Sequence, residues 1–339
     1  MLGRTNALGQ LTEFWKIIRE MNPDVIEREA NERFSLAIIG PAGTNKTEMS
    51  AALAGGRPVL AGALHVGDTN GMNGEKDLQA ADLYVYALPA SKATSVEYAH
   101  AINDVEAGGK PVVLAICRDG SSLPDRELLD ASDYLFSTLP SHRIVVVDDN
   151  DPSDVVDKLV PAIMTSLPHL HLSLARTLPG FREKVAASLI MEVSRVNAEF
   201  ALFSSLPANI PVIGEIMATG ADLFVLTKNQ VMMIFKLAAI YGRNFDSKAR
   251  IALEIAPIVG GAFLWRTAAR TMVGALPGLL AAVPKTLVAF VGTFVVGSIA
   301  SHYYHIGRKP TKKLMDQFRQ DAMSFASAHL HGWKDASSL

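Results

Sequence analysis

The chain has 339 residues, enough for two domains of ordinary size; 49% of them are hydrophobic and only 19% are charged. The mean hydropathy is positive at +0.20, which favours a membrane-associated or heavily buried segment. The single cysteine, Cys117, excludes an intrachain disulfide and lies in an apolar run, so we expect a buried thiol and a reducing compartment. Five charged side chains spread over residues 1–21 indicate that no signal-peptide core is present there.

Charge is distributed unevenly along the chain. Residues 1–168 contain 14 basic and 24 acidic side chains, a net charge of −10, and residues 169–339 contain 18 and 10, a net charge of +8. The two halves together give the net charge of −2. A basic and apolar second half suggests that this half meets an anionic partner. The alternative is solvated charge on two ordinary domains.

The first segment has a helical pattern. Apolar side chains recur at helical spacing through residues 8–21, and Asn22-Pro23 interrupts them. Pro23 is suited to open a second helix over residues 24–32, which carries acidic side chains near its start. We expect residues 1–33 to form a helical brace on the next domain, with a membrane-surface helix as the alternative.

Residues 34–53 predict a phosphate-binding loop. The apolar run at residues 34–39 is typical of a buried strand, and it leads through residues 40–47 into good helix formers. In such a loop the backbone N–H groups and the positive end of the helix face the phosphates. The lysine, here Lys46, reaches the outer phosphates, and the hydroxyl of Thr47 holds Mg²⁺.

The loop departs from the phosphate-binding pattern at one position. Gly40 and Gly43 are present, but the pattern GxxxxGK[ST] requires a glycine where this chain has Asn45. Asparagine tolerates a left-handed backbone better than most residues, but its side chain occupies space that a phosphate would need. The alternative is a tight strand-to-helix turn that binds nothing.

Strand and helix patterns alternate through residues 34–168, which predicts a mainly parallel sheet with helices on both faces. Further strands are predicted at residues 58–66, 83–88, 111–117 and 144–147, with helices near 93–107, 124–131 and 153–166. Ligands bind at the carboxyl ends of the strands in such a sheet. Lys46, Asp68 and Asp119 are all predicted to lie at that edge.

The order of these elements resembles a bacterial GTPase domain of the Era/TrmE-like group. Lys46-Thr47 matches its first motif, Asp68-Thr69-Asn70-Gly71 matches its DxxG motif, and residues 77–83 resemble the following helix-to-strand step. Asp119 stands near the position of the guanine-reading N-K-x-D motif. The resemblance implies a P-loop NTPase-like fold that binds GTP or GDP with Mg²⁺. It implies the following nucleotide-binding positions: Gly40, Gly43, Asn45, Lys46, Thr47, Asp68, Gly71 and Asp119, with Mg²⁺ held through Thr47 and Asp68.

Two further departures from that family concern recognition of the guanine base and hydrolysis. The asparagine and lysine of the guanine-reading motif are absent, because Ile116-Cys117-Arg118 precedes Asp119. The segment from Lys46 to Asp68 is only 22 residues long, shorter than the family needs for its first switch loop and second strand. We therefore expect weak hydrolysis or none. A pseudo-GTPase scaffold that binds a protein partner and an ATP-binding P-loop regulator are the alternatives.

An acidic loop, Asp148-Asp149-Asn150-Asp151, follows the last predicted strand. Its spacing matches no calcium-binding loop, and Asp151-Pro152-Ser153 is typical of a helix start. We interpret the loop as helix capping together with solvated charge.

Residues 169–339 are predicted to be helical, because prolines punctuate helical stretches and no strand alternation persists. Residues 181–203 carry one apolar stripe. The motifs Leu206–Pro211, Leu226–Gln230 and Tyr241-Gly242 make residues 170–310 resemble the helical domain of unknown function of YcjF-type inner-membrane proteins. The family implies no established chemistry. Self-association through this domain is a further hypothesis, and the chain contains no nucleic-acid-binding motif.

An apolar hairpin is predicted at residues 271–307. Thr286–Gly307 contains 22 residues without formal charge, long enough to span a bilayer core of about 30 Å. Aromatic side chains at 303–304 and a basic cluster, Arg308, Lys309, Lys312 and Lys313, follow it, as at a membrane interface. We expect a partly membrane-associated helical domain at the cytoplasmic face of the inner membrane. The alternative is a buried hairpin in a cytoplasmic helical bundle.

Overall fold

The computed structural model describes residues 22–57, 62–68, 80–118, 120, 124–133, 139–203, 221–244 and 282–336. Their contacts divide the chain into two compact units, one formed by Arg28–Val185 and one formed by Met1–Glu27 together with Ala186–Leu339. The boundaries at 27/28 and 185/186 both fall inside helices, and the predicted domain limits 1–33, 34–168 and 169–339 stay predictions. The broad layout, an α/β region followed by helices, agrees with the layout predicted from the sequence.

The first unit is built on a parallel sheet of five strands in the order β2-β1-β3-β4-β5. The strands are β1 (Leu36–Gly40), β2 (Leu64–Asp68), β3 (Leu83–Pro89), β4 (Val112–Cys117) and β5 (Ile144–Val147). Every neighbouring pair is parallel, with Leu36 opposite both Leu64 and Leu83. This is a doubly wound order, in which the chain reverses its direction of winding between β1 and β3.

Helices cover both faces of this sheet. The described helices are α1 (Pro23–Ala30), of which only residues 28–30 belong to this unit, then α2 (Lys46–Leu53), α3 (Val96–Ala107), α4 (Asp125–Asp133), α5 (Pro152–Ser166) and α6 (His171–Thr177). On one face α3 and α4 pack through Ile102 and Leu128 on a cluster that includes Ile39 and Ile116. Helices α2 and α5 pack on each other, and they also contact β1 and β4 respectively. Because β1, β3 and β4 are buried along their whole length, their side chains are apolar on both faces.

The second unit is helical in its described residues. It contains most of α7 (Arg182–Phe203), and then α8 (Ala221–Ile240), α9 (Ala282–Ile306) and α10 (Lys312–Ala336). Helix α9 packs against α8 and α10. Its Phe290 and Val291 form a cluster with Ala198 of α7 and with Ala322 and Ala326 of α10.

A network of buried polar side chains joins three helices of this unit. The Asn197 amide nitrogen of α7 and the Gln230 amide nitrogen of α8 both donate to Thr293 Oγ1 of α9, each at 2.9 Å. The Asn229 amide nitrogen donates to Asn197 Oδ1 at 2.8 Å. Asn197, Gln230 and Thr293 are at most 2% exposed. Helix α9 is therefore hydrogen-bonded to its neighbours in the middle of its apolar stretch.

The predicted elements agree with the structure best where apolar runs are long. Strand β5 has the predicted limits, and β3, β4 and α7 begin or end within one residue of theirs. Strand β2 differs most, because it begins at Leu64 and includes Asp68, whereas the prediction began at residue 58 and ended at 66. It is a half-exposed edge strand, so its burial is too incomplete to leave a continuous apolar run.

Candidate functional site

The loop between β1 and α2 lies at the carboxyl edge of the sheet, where doubly wound folds bind ligands. Gly40 ends β1 with φ +152°, and a Cβ there would overlap the carbonyl oxygen of Ala87 on β3. Gly43 has φ +98° and open space around it. Gly40 therefore permits the close approach of two strands, whereas Gly43 only permits the turn.

Lys46 begins α2, and its side chain is folded into the loop. Its Nζ donates to the Pro41 carbonyl oxygen at 2.9 Å and lies 3.1 Å from Asp68 Oδ1 at the end of β2. The Lys46 side chain is only 10% exposed, whereas that of Asp68 is 68% exposed. The structure thus brings together two residues that the sequence places 22 positions apart.

Asn45 precedes α2 as its capping residue but does not cap it with its side chain. Its backbone has φ −85°, so the left-handed conformation that a glycine would allow here is not used. The Asn45 backbone N–H donates to Asp149 Oδ2 at 2.7 Å, and its side-chain Nδ2 donates to Asn150 Oδ1 at 2.7 Å. Both contacts join the loop before α2 to the loop after β5.

Asp149 supplies a buried carboxylate at this point. The residue is 5% exposed, and its Oδ1 also accepts from the Asn150 amide nitrogen at 3.4 Å. Cys117, which ends β4, lies beside it and is 1% exposed. Burial raises the pKa of the Cys117 thiol strongly, and the charge of Asp149 and its hydrogen bond to the thiol raise that pKa further. The predicted buried thiol is confirmed, and it is not an activated nucleophile.

The rest of the acidic loop is ordered by hydrogen bonds. Asp151 caps α5 by accepting the Ser153 backbone N–H at 2.8 Å, and hydrogen bonds to Ser153 lower the pKa of this carboxyl. The predicted helix cap is therefore confirmed. The interpretation of the loop as solvated charge is wrong for Asp149, because the close packing of α2 on α5 brings the head of α2 onto this carboxylate.

A network of charged side chains borders the loop. Asp154 of α5 accepts the Asp148 backbone N–H at 2.7 Å and pairs with Lys158 at 3.0 Å. Lys158 also lies 3.3 Å from Asp125 of α4, which pairs with Arg118. These contacts tie the loops after β4 and β5 to α4 and α5, so the position of Asp149 is supported from outside the site.

The predicted site residues fall into two groups. Gly40, Gly43, Asn45, Lys46 and Thr47 lie together in the loop and first turn of α2, with Asp68 beside Lys46. Thr47 is exposed. Gly71 and Asp119 lie outside the described residues, so the predicted γ-phosphate and base contacts stay predictions. Within the described part of the chain, no group of three or more His, Cys, Asp or Glu side chains could hold a metal ion.

Sequence reasoning missed Asp149 and Asn150 as members of this site. Their position directly after β5 was a usable signal, because the carboxyl ends of all parallel strands meet at one edge. What the sequence did not indicate is the packing of α2 against α5, which carries the head of α2 to this loop.

A second feature lies at the end of α9. By length and composition alone, Thr286–Ile306, 21 residues with a hydropathy of 1.4, could cross a membrane, and 44% of its most apolar 18-residue part is buried. No side chain described from 286 to 304 is exposed, whereas Ile306 is 54% exposed. The basic cluster that follows is exposed, and its four members form no ion pair among the described residues.

The fold and the site define a doubly wound α/β unit with a glycine-containing loop and a buried lysine, followed by a helical unit. No family model, curated protein or solved structure matches the chain.

Proposed function

We propose that this protein binds a guanine nucleotide, GTP or GDP with Mg²⁺, at the loop of residues 40–47 of a P-loop NTPase-like domain. Hydrolysis is slow or absent, and the nucleotide state is coupled to a membrane-associated helical domain. The observation that carries the proposal is Lys46, a lysine whose side chain is 90% buried at the positive end of α2.

Electrostatics support an anion beside Lys46. A cation at the amino end of a helix faces the positive end of the helix dipole, which is unfavourable. Its ion-pair partner Asp68 is largely exposed, so water screens much of that attraction. The Pro41 carbonyl supplies only a partial charge. A phosphate in the loop would offset the lysine charge, and at the positive end of α2 it would compete with the Asp149 carboxylate.

Weak hydrolysis follows from the same contacts. Phosphoryl transfer requires a positioned water, Mg²⁺ and charge stabilisation at the same time. Here the carboxylate proposed to act near Mg²⁺, Asp68, is paired with Lys46, and the Asn45 backbone N–H is already bonded. Multiple-turnover phosphate release should therefore not exceed that of the Lys46→Ala variant, either in solution or with membranes added. Release well above that variant would contradict weak hydrolysis.

Nucleotide binding is tested by thermal stabilisation with GTP, GDP and ATP, each with Mg²⁺. A ligand at about 100 times its Kd adds about 2.7 kcal/mol of stability. We expect GTP or GDP to stabilise the wild type and to have no effect on Lys46→Ala. Lys110→Ala is the matched control, because Lys110 lies at the opposite edge of the sheet, before β4. A shift with ATP alone would favour an ATP-binding regulator.

The second candidate function is a pseudo-GTPase scaffold that binds a protein partner without nucleotide. The buried carboxylate of Asp149, which already bonds the head of α2, favours it. If no nucleotide stabilises the wild type, nucleotide binding is contradicted and this candidate remains.

For the helical domain we propose peripheral association with an anionic membrane surface at the cytoplasmic face. The exposed basic cluster and the exposed Ile306 beside it support this proposal. The packing of α9 against α8 and α10 and its hydrogen bonds at Thr293 support surface binding over spanning. Each basic residue near an anionic leaflet contributes about 1 kcal/mol.

Sedimentation with vesicles tests this part. We expect the wild type to pellet with phosphatidylserine-containing vesicles, and added salt to weaken binding only in part because apolar contacts remain. Replacement of Arg308, Lys309, Lys312 and Lys313 by Gln should lower binding, whereas Lys110→Gln should not. Recovery of all wild-type protein in the supernatant, monomeric without detergent, would contradict the membrane proposal.

A further inference from the structure

The head of α2 is already occupied by an anion of the protein itself. Asp149 Oδ2 accepts the Asn45 backbone N–H at 2.7 Å, at the residue where the phosphate-binding pattern has its last glycine. Asp149 is 95% buried. Its carboxylate is thus held by the backbone of the loop and not displayed to solvent.

A buried carboxylate is costly unless it is paired or hydrogen-bonded. Within the described residues Asp149 forms no salt bridge; its contacts are the Asn45 N–H, the Asn150 amide at 3.4 Å and the thiol of Cys117. The shorter of the two hydrogen bonds from nitrogen is the one from the Asn45 N–H, at the positive end of α2. That is the same interaction that a helix amino terminus offers to a phosphate.

A second hydrogen bond holds the same two loops together. Asn45 Nδ2 donates to Asn150 Oδ1 at 2.7 Å, so the residue that replaces the expected glycine also contacts the acidic loop. A glycine at position 45 would lack this contact. Asn45, which departs from the phosphate-binding pattern, and the Asp149 carboxylate thus hold the same two loops together.

We propose that Asp149 is an internal competitor for the phosphate site, and that a nucleotide di- or triphosphate binds only when the loop of residues 148–151 withdraws from the head of α2. This inference rests on the proposed nucleotide binding and names its regulation. The apparent affinity of the wild type is then the intrinsic affinity multiplied by the fraction of molecules in which the loop is withdrawn. Removal of the Asp149 charge should raise that fraction and, with it, the apparent affinity.

The test compares Asp149→Asn with the wild type by calorimetric titration of GDP, GTP and inorganic tripolyphosphate, with Mg²⁺. Asparagine keeps an oxygen that can accept the Asn45 N–H but removes the charge. We expect all three ligands to bind Asp149→Asn at least tenfold more tightly. Asp104→Asn is the matched control, because it removes an equal charge from an exposed position on α3, outside the loop, and should change affinity less than twofold.

The outcomes separate the inference from the proposed function. Nucleotide binding by the wild type that is unchanged or weaker in Asp149→Asn overturns the internal competitor and leaves the proposed function intact. Binding only by Asp149→Asn supports the competitor and contradicts nucleotide binding as a function of the wild type. If neither protein binds any of the three ligands, both are overturned.

A measurement on the wild type keeps the proposal testable if Asp149→Asn does not fold. Hydrogen exchange is compared with and without saturating tripolyphosphate. Displacement of Asp149 should speed exchange severalfold at residues 148–151 while residues 41–47 become protected. Protection of both segments together, or no change in either segment, would overturn the proposal.

Discussion

The two units of this protein place their polar side chains in opposite ways. In the α/β unit β1, β3 and β4 are buried along their whole length, and the polar groups of the candidate site lie in loops beyond the strand ends. In the helical unit polar side chains lie inside the bundle, at Asn197, Gln230 and Thr293. A sheet satisfies its backbone between strands and can keep an apolar interior. Between helices, a buried polar network specifies which faces meet.

The two units also differ in their closest contacts. At Gly40 an added Cβ would meet backbone, the carbonyl oxygen of Ala87. At Gly297 on α9 an added Cβ would meet side chains, at 2.7 Å from Ile190 Cγ1 and 3.0 Å from Met233 Cε. Backbone paired in a sheet cannot move aside, whereas side chains can change rotamer. A Cβ added at Gly40 should therefore destabilise the α/β unit more than a Cβ added at Gly297 destabilises the helical unit.

The largest loss of folding stability is expected for Gly40→Ala. Overlap with Ala87 together with the unfavourable φ should cost more than about 4 kcal/mol, which places it among the exceptional substitutions. Gly43→Ala shares the positive φ but meets open space, so it should cost only about 1–2 kcal/mol. Hydrogen exchange of β1 and β3 peptides measures both. Equal protection in the two variants would remove the backbone contact as the cause.

A smaller loss is expected for Thr293→Val, which keeps the shape of the side chain but removes the oxygen that accepts from Asn197 and Gln230. A buried donor left without its acceptor costs about 1–3 kcal/mol, and we expect about 2 kcal/mol overall. Thr165→Val on the exposed surface of α5 is the control and should stay within about 0.5 kcal/mol. Denaturant unfolding measures the difference. A neutral Thr293→Val would mean that the network contributes little to the stability of the bundle.

Gly297→Ala should lower the free energy of unfolding by less than Thr293→Val does. Overpacking against Ile190 costs about 1–3 kcal/mol, but alanine recovers about 1 kcal/mol of helix propensity, so the net loss should be about 1 kcal/mol. Thermal unfolding of Gly297→Ala alone and combined with Ile190→Val separates the two terms. If Ile190→Val gives no relief, side-chain crowding is not what makes this glycine important.

The smallest effect concerns Asp151, which is exposed. Its hydrogen bonds to Ser153 lower its pKa, so its charge stabilises the folded state above the unfolded pKa of about 3.9. That contribution is lost as the pH falls through the lower folded pKa. The stability difference between the wild type and Asp151→Asn should therefore shrink between neutral pH and pH values below about 4. A difference that does not change with pH would exclude the charge as its source.

Most of the strands that could be predicted from the sequence were predicted from long apolar runs. The limits of β5 and the positions of β3 and β4 follow from runs that are buried on both faces. The early start predicted for β2 came from extending a pattern into residues 58–61, which lie outside the described residues. Strand β2 is half exposed, so it lacks the burial that makes such a pattern readable, whereas β5, at the other side of the sheet, is mostly buried.

The candidate site was predictable only in part, because its residues come from distant segments. Gly40, Lys46 and Asp68 could be selected from motif spacing, and the structure brings Lys46 and Asp68 to 3.1 Å. The membrane prediction shows the same limit. The uncharged run of α9 is visible in the sequence, but its burial against α8 and α10 is not.

The sequence by itself determined the alternation of strands and helices, the lysine at the head of α2 and the change to helices in the second half. These properties depend on neighbouring residues and on local periodicity. Only the tertiary structure decided that Asp149, 104 residues away, bonds the Asn45 N–H. The physical reason is that α2 and α5 must bury their apolar faces on the sheet and on each other. That packing carries the loop before α5 to the head of α2.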